Sequence, residues 1–161
     1  MITATATVMQ VFVQGKRKND IYGCFYSSLV QNPIPFSSFS DLLIQADALF
    51  DSIQFPQSFL EHRRFVNPPG RPRKYAPGDN TPLRPENIPV YSHSEDAIGI
   101  PSLCHFQLHV LYRQHGSWQG RVRWCETEKE MNFRSAFELL YLLLEAVHTE
   151  ESSQNLSLIH I

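Results

Sequence analysis

The sequence predicts an α+β protein made of two ββ(β)α units, with antiparallel sheets and helices packed on them. Residues 104–125 alternate between apolar and polar side chains, which is typical of half-buried antiparallel strands. Residues 135–147 place leucines at helical spacing directly after a capping box. A weaker copy of the same pattern lies near the N-terminus and forms the first unit.

The strands of the second unit follow from this alternation. Its first strand, residues 104–112, places four apolar side chains on one face: Phe106, Leu108, Val110 and Tyr112. A turn at residues 114–117 leads into a return strand at residues 118–125, with a core face of Trp118, Gly120, Val122 and Trp124. Arg121 and Arg123 fall on the opposite face, together with His109. A short third strand is expected at residues 131–133.

The helix of each unit begins at a capping box. Ser135 can accept a hydrogen bond from the amide of Glu138, whose carboxylate can reach back to the amide of Ser135. Ser38 and Asp41 form the corresponding box before the first helix, predicted at residues 39–52. The second helix is apolar on most sides, so we expect another part of the chain or a second subunit to cover it. A homodimer through this helix is one such arrangement.

The two units are related by a shift of 97 residues. Over the 34 positions 10–43, this shift brings seven identical residues into register, where ordinary composition would give roughly two by chance. The identities are Gln10/Gln107, Val13/Val110, Gly23/Gly120, Phe36/Phe133, Ser38/Ser135, Leu42/Leu139 and Leu43/Leu140. With strands at residues 3–14 and 21–28 before the first helix, this indicates an internal duplication.

The predicted organisation has four parts. Residues 1–61 form the first unit and residues 102–150 the second, while residues 151–161 form a tail that is unstructured or foreign to the natural sequence. Residues 62–101 form a linker that contains eight of the eleven prolines and a cluster of basic residues. It is either a solvated connector or a basic binding arm. Its candidate partner contacts are Arg71, Arg73, Lys74, Tyr75 and Arg84.

Composition narrows the class of protein. The net charge of −2 provides no global field that would steer the chain toward nucleic acid. Three cysteines are too few for a disulfide framework, and no apolar run reaches the length of a transmembrane helix. The N-terminus lacks the pattern of a signal peptide. We therefore expect a cytoplasmic protein that does not enter membranes.

No motif indicates catalysis, a metal or a cofactor. The candidate metal ligands are Cys24, Cys104, His105, His109 and Cys125, and no CxxC pair, the cysteine spacing common in structural zinc sites, occurs among them. Cys104 and His105 are neighbours on opposite strand faces, which is poor geometry for a nucleophile and its base. Phosphate-binding loops and nucleophile elbows are absent from the sequence. We expect a protein without enzymatic activity.

Two blocks of the second unit carry a resemblance. The segment YRQHGSWQGRVRW followed by MNFRSAFELLYLLLEAV resembles small proteins of conjugative and phage-like elements from anaerobic gut bacteria, in which a RQNxSWQGxVxW…FRSxxEL pattern recurs. The chain departs from that pattern at His115, where asparagine is expected. The N-terminal IYGCFY…PFSSFSDLL is similar to a companion block. The resemblance implies an accessory protein of a mobile element and supplies no functional residues.

Two functions follow as hypotheses. The first is an inhibitor or adaptor, of the anti-CRISPR type, that binds a larger protein such as a CRISPR nuclease or its guide complex; this is analogy from the mobile-element context. The second is a nucleic-acid-binding protein that uses the basic linker and the hairpin residues Arg121 and Arg123, with Arg113 at the turn.

Overall fold

A computed structural model of the chain describes residues 8–53, 55–56, 65–66, 91 and 100–159. The elements in order are β1 (Val8–Arg17), β2 (Asp20–Tyr26), β3 (Ile34–Phe36), α1 (Phe39–Ile53), β4 (Cys104–Tyr112), β5 (Gln119–Trp124), β6 (Lys129–Phe133) and α2 (Ala136–Ile159). Apart from residues 65, 66, 91, 100 and 101, the predicted Pro-rich linker lies outside the described residues.

The strands form one six-stranded sheet in the order β3-β2-β1-β4-β5-β6. Every neighbouring pair is antiparallel. The predicted α+β class is thus confirmed, although the two units share one sheet. The joint is the β1–β4 pair, in which Gln10 lies opposite Gln107.

Both helices pack on the same face of this sheet. The main core joins β-strand residues such as Val11, Phe25 and Phe106 to Phe50 of α1 and Leu143 of α2, all of them fully buried. The predicted alternation is what directs these strand residues inward. A second, smaller cluster lies on the opposite face and contains Phe12, Cys24 and Tyr26, packed by Val30 and Ile100.

Backbone register recurs in the two halves at a spacing of 97 residues. Val13 pairs with Gly23, and Val110 pairs with Gly120. The β-bulges, at residues 13–15 and 110–112, are also equivalent. A Cβ atom on Gly23 would lie 1.9 Å from the carbonyl oxygen of Phe12, and one on Gly120 would lie 2.0 Å from that of His109. Positions 23 and 120 therefore both require glycine, because a side chain there would collide with the backbone of the neighbouring strand.

The bulge in β4 corrects one prediction. Tyr112 was assigned to the core face with Val110, but its side chain is exposed. The register shifts between Val110 and Tyr112, and this shift reverses the alternation at the end of the strand. Trp118, Val122 and Phe106 do lie in the core as predicted.

The helix boundaries differ from the prediction in two respects. The amides of Asp41 and Glu138 donate to the hydroxyls of Ser38 and Ser135, as predicted. The Glu138 carboxylate, however, accepts from the amide of Arg134 rather than that of Ser135. In addition, α2 continues to Ile159, through most of the predicted tail. Neither glycine nor proline occurs after residue 135, so no residue of these two types interrupts the helix there.

We expect Ser135→Ala to lower the free energy of unfolding by about 1 kcal/mol, because the amide of Glu138 loses its cap. Leu143→Ala should cost about 2–5 kcal/mol, because it leaves a cavity in the core. Urea denaturation measures both, with the exposed Ser152→Ala as a control that should unfold like the parent. Equal stability of all four proteins would contradict the packing of α2.

Candidate binding surfaces

The open half of the sheet lies opposite the helices, on β4, β5 and β6. Its polar side chains include the two predicted site residues Arg121 and Arg123, both exposed. Across the strands, His109 pairs with Arg121 and Gln107 pairs with Arg123. The structure therefore brings the two arginines and His109 onto one surface, as the sequence predicts.

Two glutamates balance the charge of this surface. Arg121 lies 4.0 Å from Glu130 and Arg123 lies 3.7 Å from Glu128, measured between nitrogen and oxygen atoms. All four side chains are exposed, so each pair contributes at most about 1 kcal/mol. The arginines remain accessible, but the surface as a whole is not basic.

The other half of the same face is covered. His105, Phe12 and Tyr26 form a row of rings across three strands, with centroids 4.3 Å and 5.6 Å apart. Phe12 and Tyr26 are buried beneath contacts that include Val30 and Ile100. Because these two rings are buried, they do not offer the exposed stacking platform that single-stranded nucleic acids require.

Arg113 does not belong to either exposed surface, which corrects its assignment to a nucleic-acid contact at the hairpin turn. Its side chain is only 4 % exposed. One guanidinium nitrogen lies 3.0 Å from Asp47 and 2.7 Å from Asp51, both on α1, and Nε donates to the carbonyl of Pro56. Arg113 therefore fastens the end of α1 to the β4–β5 hairpin of the other unit.

Trp118 completes this buried polar network. Its indole Nε1 donates to the Asp47 carboxylate at 3.1 Å, and its ring packs edge-on against Phe50. The Arg113 guanidinium lies over the Phe50 ring at 5.6 Å. The Nε and Nη1 groups of Arg113 and the indole N–H of Trp118 thus each have an acceptor, as expected where a buried charge is tolerated. Sequence pattern could not reveal these partners, since they lie between 57 and 71 residues apart.

Removing the two aspartates of the network and removing Arg113 should lower the free energy of unfolding by different amounts. Asp47 and Asp51 are about half exposed and can be solvated again, whereas the Arg113 guanidinium cannot. We expect the double change Asp47→Ala and Asp51→Ala to cost about 3–5 kcal/mol, because it leaves a buried charge unpaired. Arg113→Met should cost less. Chemical denaturation measures the difference, with Arg134→Met as an exposed control; the reverse order would contradict this reading of the network.

His105 lies on the sheet face opposite the helices, and its environment changes the pKa of its imidazole. Burial lowers the pKa of its imidazole, and the ring nitrogen Nε2 lies 2.6 Å from Oε1 of Gln10. Folding therefore favours the neutral ring. Glu126 accepts a hydrogen bond from the backbone amide of His105, and burial raises the pKa of its carboxyl.

The free energy of unfolding should therefore depend on pH through His105. The unfolded imidazole takes up a proton near its ordinary pKa of 6.5, but the folded one resists until lower pH. Stability is then complete above about pH 6.5 and falls as the pH decreases toward the lowered pKa. Glu126 acts in the opposite sense, because its neutral form is favoured by folding. We expect His105→Phe, which retains a ring beside Phe12, to show a flatter dependence in denaturation measured from pH 7 to 5; an unchanged slope would contradict this assignment.

The thiols are poorly suited to nucleophilic catalysis. Burial, with the nearby carboxylates of Glu126, Glu150 and Glu151, raises the pKa of Cys104 to about 12. Burial also raises the pKa values of Cys24 and Cys125. Since the thiolate is the nucleophile, these shifts reduce the share of each thiol that is ionised near neutral pH. Among the described residues, no group of three or more histidine, cysteine or acidic side chains could hold a metal ion.

An aromatic pair on α2 is exposed, and it was not among the predicted site residues. Phe137 is 66 % exposed and Tyr141 is 61 % exposed, with their rings edge-to-face at 4.9 Å. They occupy the side of α2 away from Leu139 and Leu143, which face the core. The helical period could have revealed this, because positions 137 and 141 lie nearly opposite the buried stripe.

The remaining predicted contacts are Arg71, Arg73, Lys74, Tyr75 and Arg84, which lie outside the described residues. In the part of the chain that the structure does describe, no helix has the length and apolar character needed to cross a membrane. Searches for similar proteins returned no matching family model, curated protein or solved structure. The surfaces themselves are therefore the basis for the proposed function.

Proposed function

We propose that this protein is a non-enzymatic inhibitor or adaptor that binds a larger protein. The observation that carries the proposal is the exposed pair Phe137 and Tyr141 on α2. Large aromatic side chains are enriched at the centres of protein interfaces, where they supply much of the binding energy. Their edge-to-face contact holds both rings in place before a partner arrives, which reduces the entropy lost on binding.

The surroundings of this aromatic pair suit an interface. Arg134, just before α2, and Glu138, in its first turn, form a doubly hydrogen-bonded ion pair beside the aromatic pair. The core face of α2 is held rigidly by Leu139, Leu143 and Val147, so the exposed rings stand on a fixed support. An apolar centre with a charged rim is the usual anatomy of a protein-binding site.

We also propose that the two units arose by internal duplication. The seven identities, the two equivalent β-bulges and the two obligatory glycines at a shift of 97 residues support this. The turn residues Lys18 and His115, also 97 apart, share the left-handed backbone conformation, with φ of 54° and 56°. Asparagine adopts this conformation readily, which suits the Asn expected at position 115.

The partner class rests on the resemblance to mobile-element proteins and on the linker. A CRISPR nuclease or its guide complex would offer acidic patches and phosphates to Arg71, Arg73, Lys74 and Arg84, with Tyr75 as an additional aromatic contact. Such a partner also accounts for near-neutral overall charge, because recognition would depend on local clusters. A second copy of the chain is the competing occupant of α2.

We expect the double change Phe137→Ala and Tyr141→Ala to abolish capture of the nuclease effector and inhibition of its DNA cleavage. The matched control is Ile44→Ala, because Ile44 is equally exposed at the equivalent position of α1. Pull-down with purified effector and a cleavage assay measure both effects. Changing the four basic linker residues to Ala tests the arm separately. If the aromatic double variant captures the effector as well as the parent does, the proposed α2 site is wrong. If the parent captures no effector, a CRISPR nuclease is not the partner.

Nucleic-acid binding by the open half of the sheet is the alternative function. The exposed positions of Arg121 and Arg123 beside His109 favour it, while the nearby Glu128 and Glu130 oppose it. Binding through phosphates should weaken log-linearly with salt. We expect Arg121→Ala with Arg123→Ala to reduce any mobility shift of single-stranded or duplex DNA and RNA and to reduce its salt slope. A shift that survives both changes would remove this surface from the alternative.

A further inference from the structure

The two edge strands of the sheet, β3 and β6, differ in whether a further β-strand could pair with them. At one edge, β3 is only three residues long and includes Pro35, which cannot donate to another strand. The carbonyl of Pro35 is also occupied, because Nε2 of Gln45 on α1 donates to it at 2.9 Å. These features close the β3 edge against a further strand.

At the other edge, β6 has none of these protections. It contains five residues, none of them proline, and residues 129–132 are exposed. Its one strand neighbour in the described part of the chain is β5. Met131 stands at the centre of β6 with 57 % of its surface exposed. An unpaired edge with an exposed apolar centre is a template for another strand.

The sequence around Met131 is self-complementary in an antiparallel arrangement. If two copies of β6 pair with Met131 opposite Met131, then Glu130 faces Asn132 of the partner subunit, and Lys129 faces Phe133 of the partner subunit. Just outside the strand at each end, this register brings the turn residue Glu128, now 3.7 Å from Arg123, near Arg134 of the partner subunit. The side chains of Glu128 and Arg134 are strongly exposed. No like charges lie opposite each other in this register, which is a condition for stable pairing.

We propose that a second copy of this chain pairs antiparallel along β6, in the register that centres on Met131. The association joins two six-stranded sheets across a two-fold axis, as expected for an isologous interface. It repeats between chains the antiparallel joint that β1 and β4 make within the chain. The paired residues 129–133 of β6 are distinct from the aromatic pair Phe137 and Tyr141 on α2, and Arg134 borders both sites.

The position of Met131 on the axis permits a direct test of both occupant and register. Met131→Lys alone places two lysines opposite each other, and Met131→Glu alone places two glutamates. We expect each variant to sediment as a monomer while the parent sediments as a dimer. An equimolar mixture should return to the dimer mass, because the lysine of one chain then meets the glutamate of the other. The control Ile44→Lys introduces the same charge on exposed α1 and should remain a dimer.

A second pair of variants tests the flanking contacts. Glu128→Arg should weaken dimerisation, and adding Arg134→Glu to the same chain should restore it, because the pair is then reversed at both ends. Sedimentation equilibrium over a concentration series, with thermal melts to verify folding, measures each protein. The proposal is overturned if the parent is monomeric up to its solubility limit or if both Met131 variants remain dimeric. A mixture that contains only monomers would also overturn it, unless the charge-reversed pair shows the predicted loss and recovery.

Discussion

The antiparallel joint between β1 and β4 is the interaction on which the rest of the structure depends. Each unit alone is a small sheet with one helix, too small to bury a substantial core. Joining their first strands pairs residues 8–13 with residues 104–109 and converts two exposed edges into the centre of one sheet. Val11, Val13 and Phe106 lose nearly all contact with water at this joint. The helices then share one continuous core.

The halves differ most where the end of α1 reaches the second hairpin. The buried partners Arg113 and Trp118 correspond to Lys16 and Ile21 in the first half, at the same shift of 97 residues. Asp47, which binds both of them, corresponds to Leu144. The equivalent positions therefore carry a different set of side chains, with Leu144 packed against the core where Asp47 holds the polar network. The two halves thus share their strand and helix order, but different side chains surround α1 and α2.

Among the described residues, the three exposed features that the proposals use lie in the second unit. The aromatic pair, the arginines of the open sheet half and the unprotected β6 edge all lie between residues 121 and 141. In the first unit, the corresponding sheet face is covered by contacts that include Ile100, and the edge is closed by Pro35 and Gln45. In the described part of the chain, the first unit thus has a covered sheet face and a closed edge, whereas the second unit presents exposed side chains and an edge strand that pairs only with β5.

By itself, the sequence determined the α+β class, the strands of the second hairpin, both N-terminal caps and the outward position of Arg121 and Arg123. These features follow from local periodicity and from contacts between residues close in the chain, which sequence patterns express directly. Tertiary structure alone decided that the units share one sheet, that Arg113 is buried, and that Tyr112 turns outward at a bulge. It also decided which side of α2 remains open. Each of these depends on how distant segments meet, and the partners of a buried charge or an unpaired edge are not encoded in the spacing of neighbouring residues.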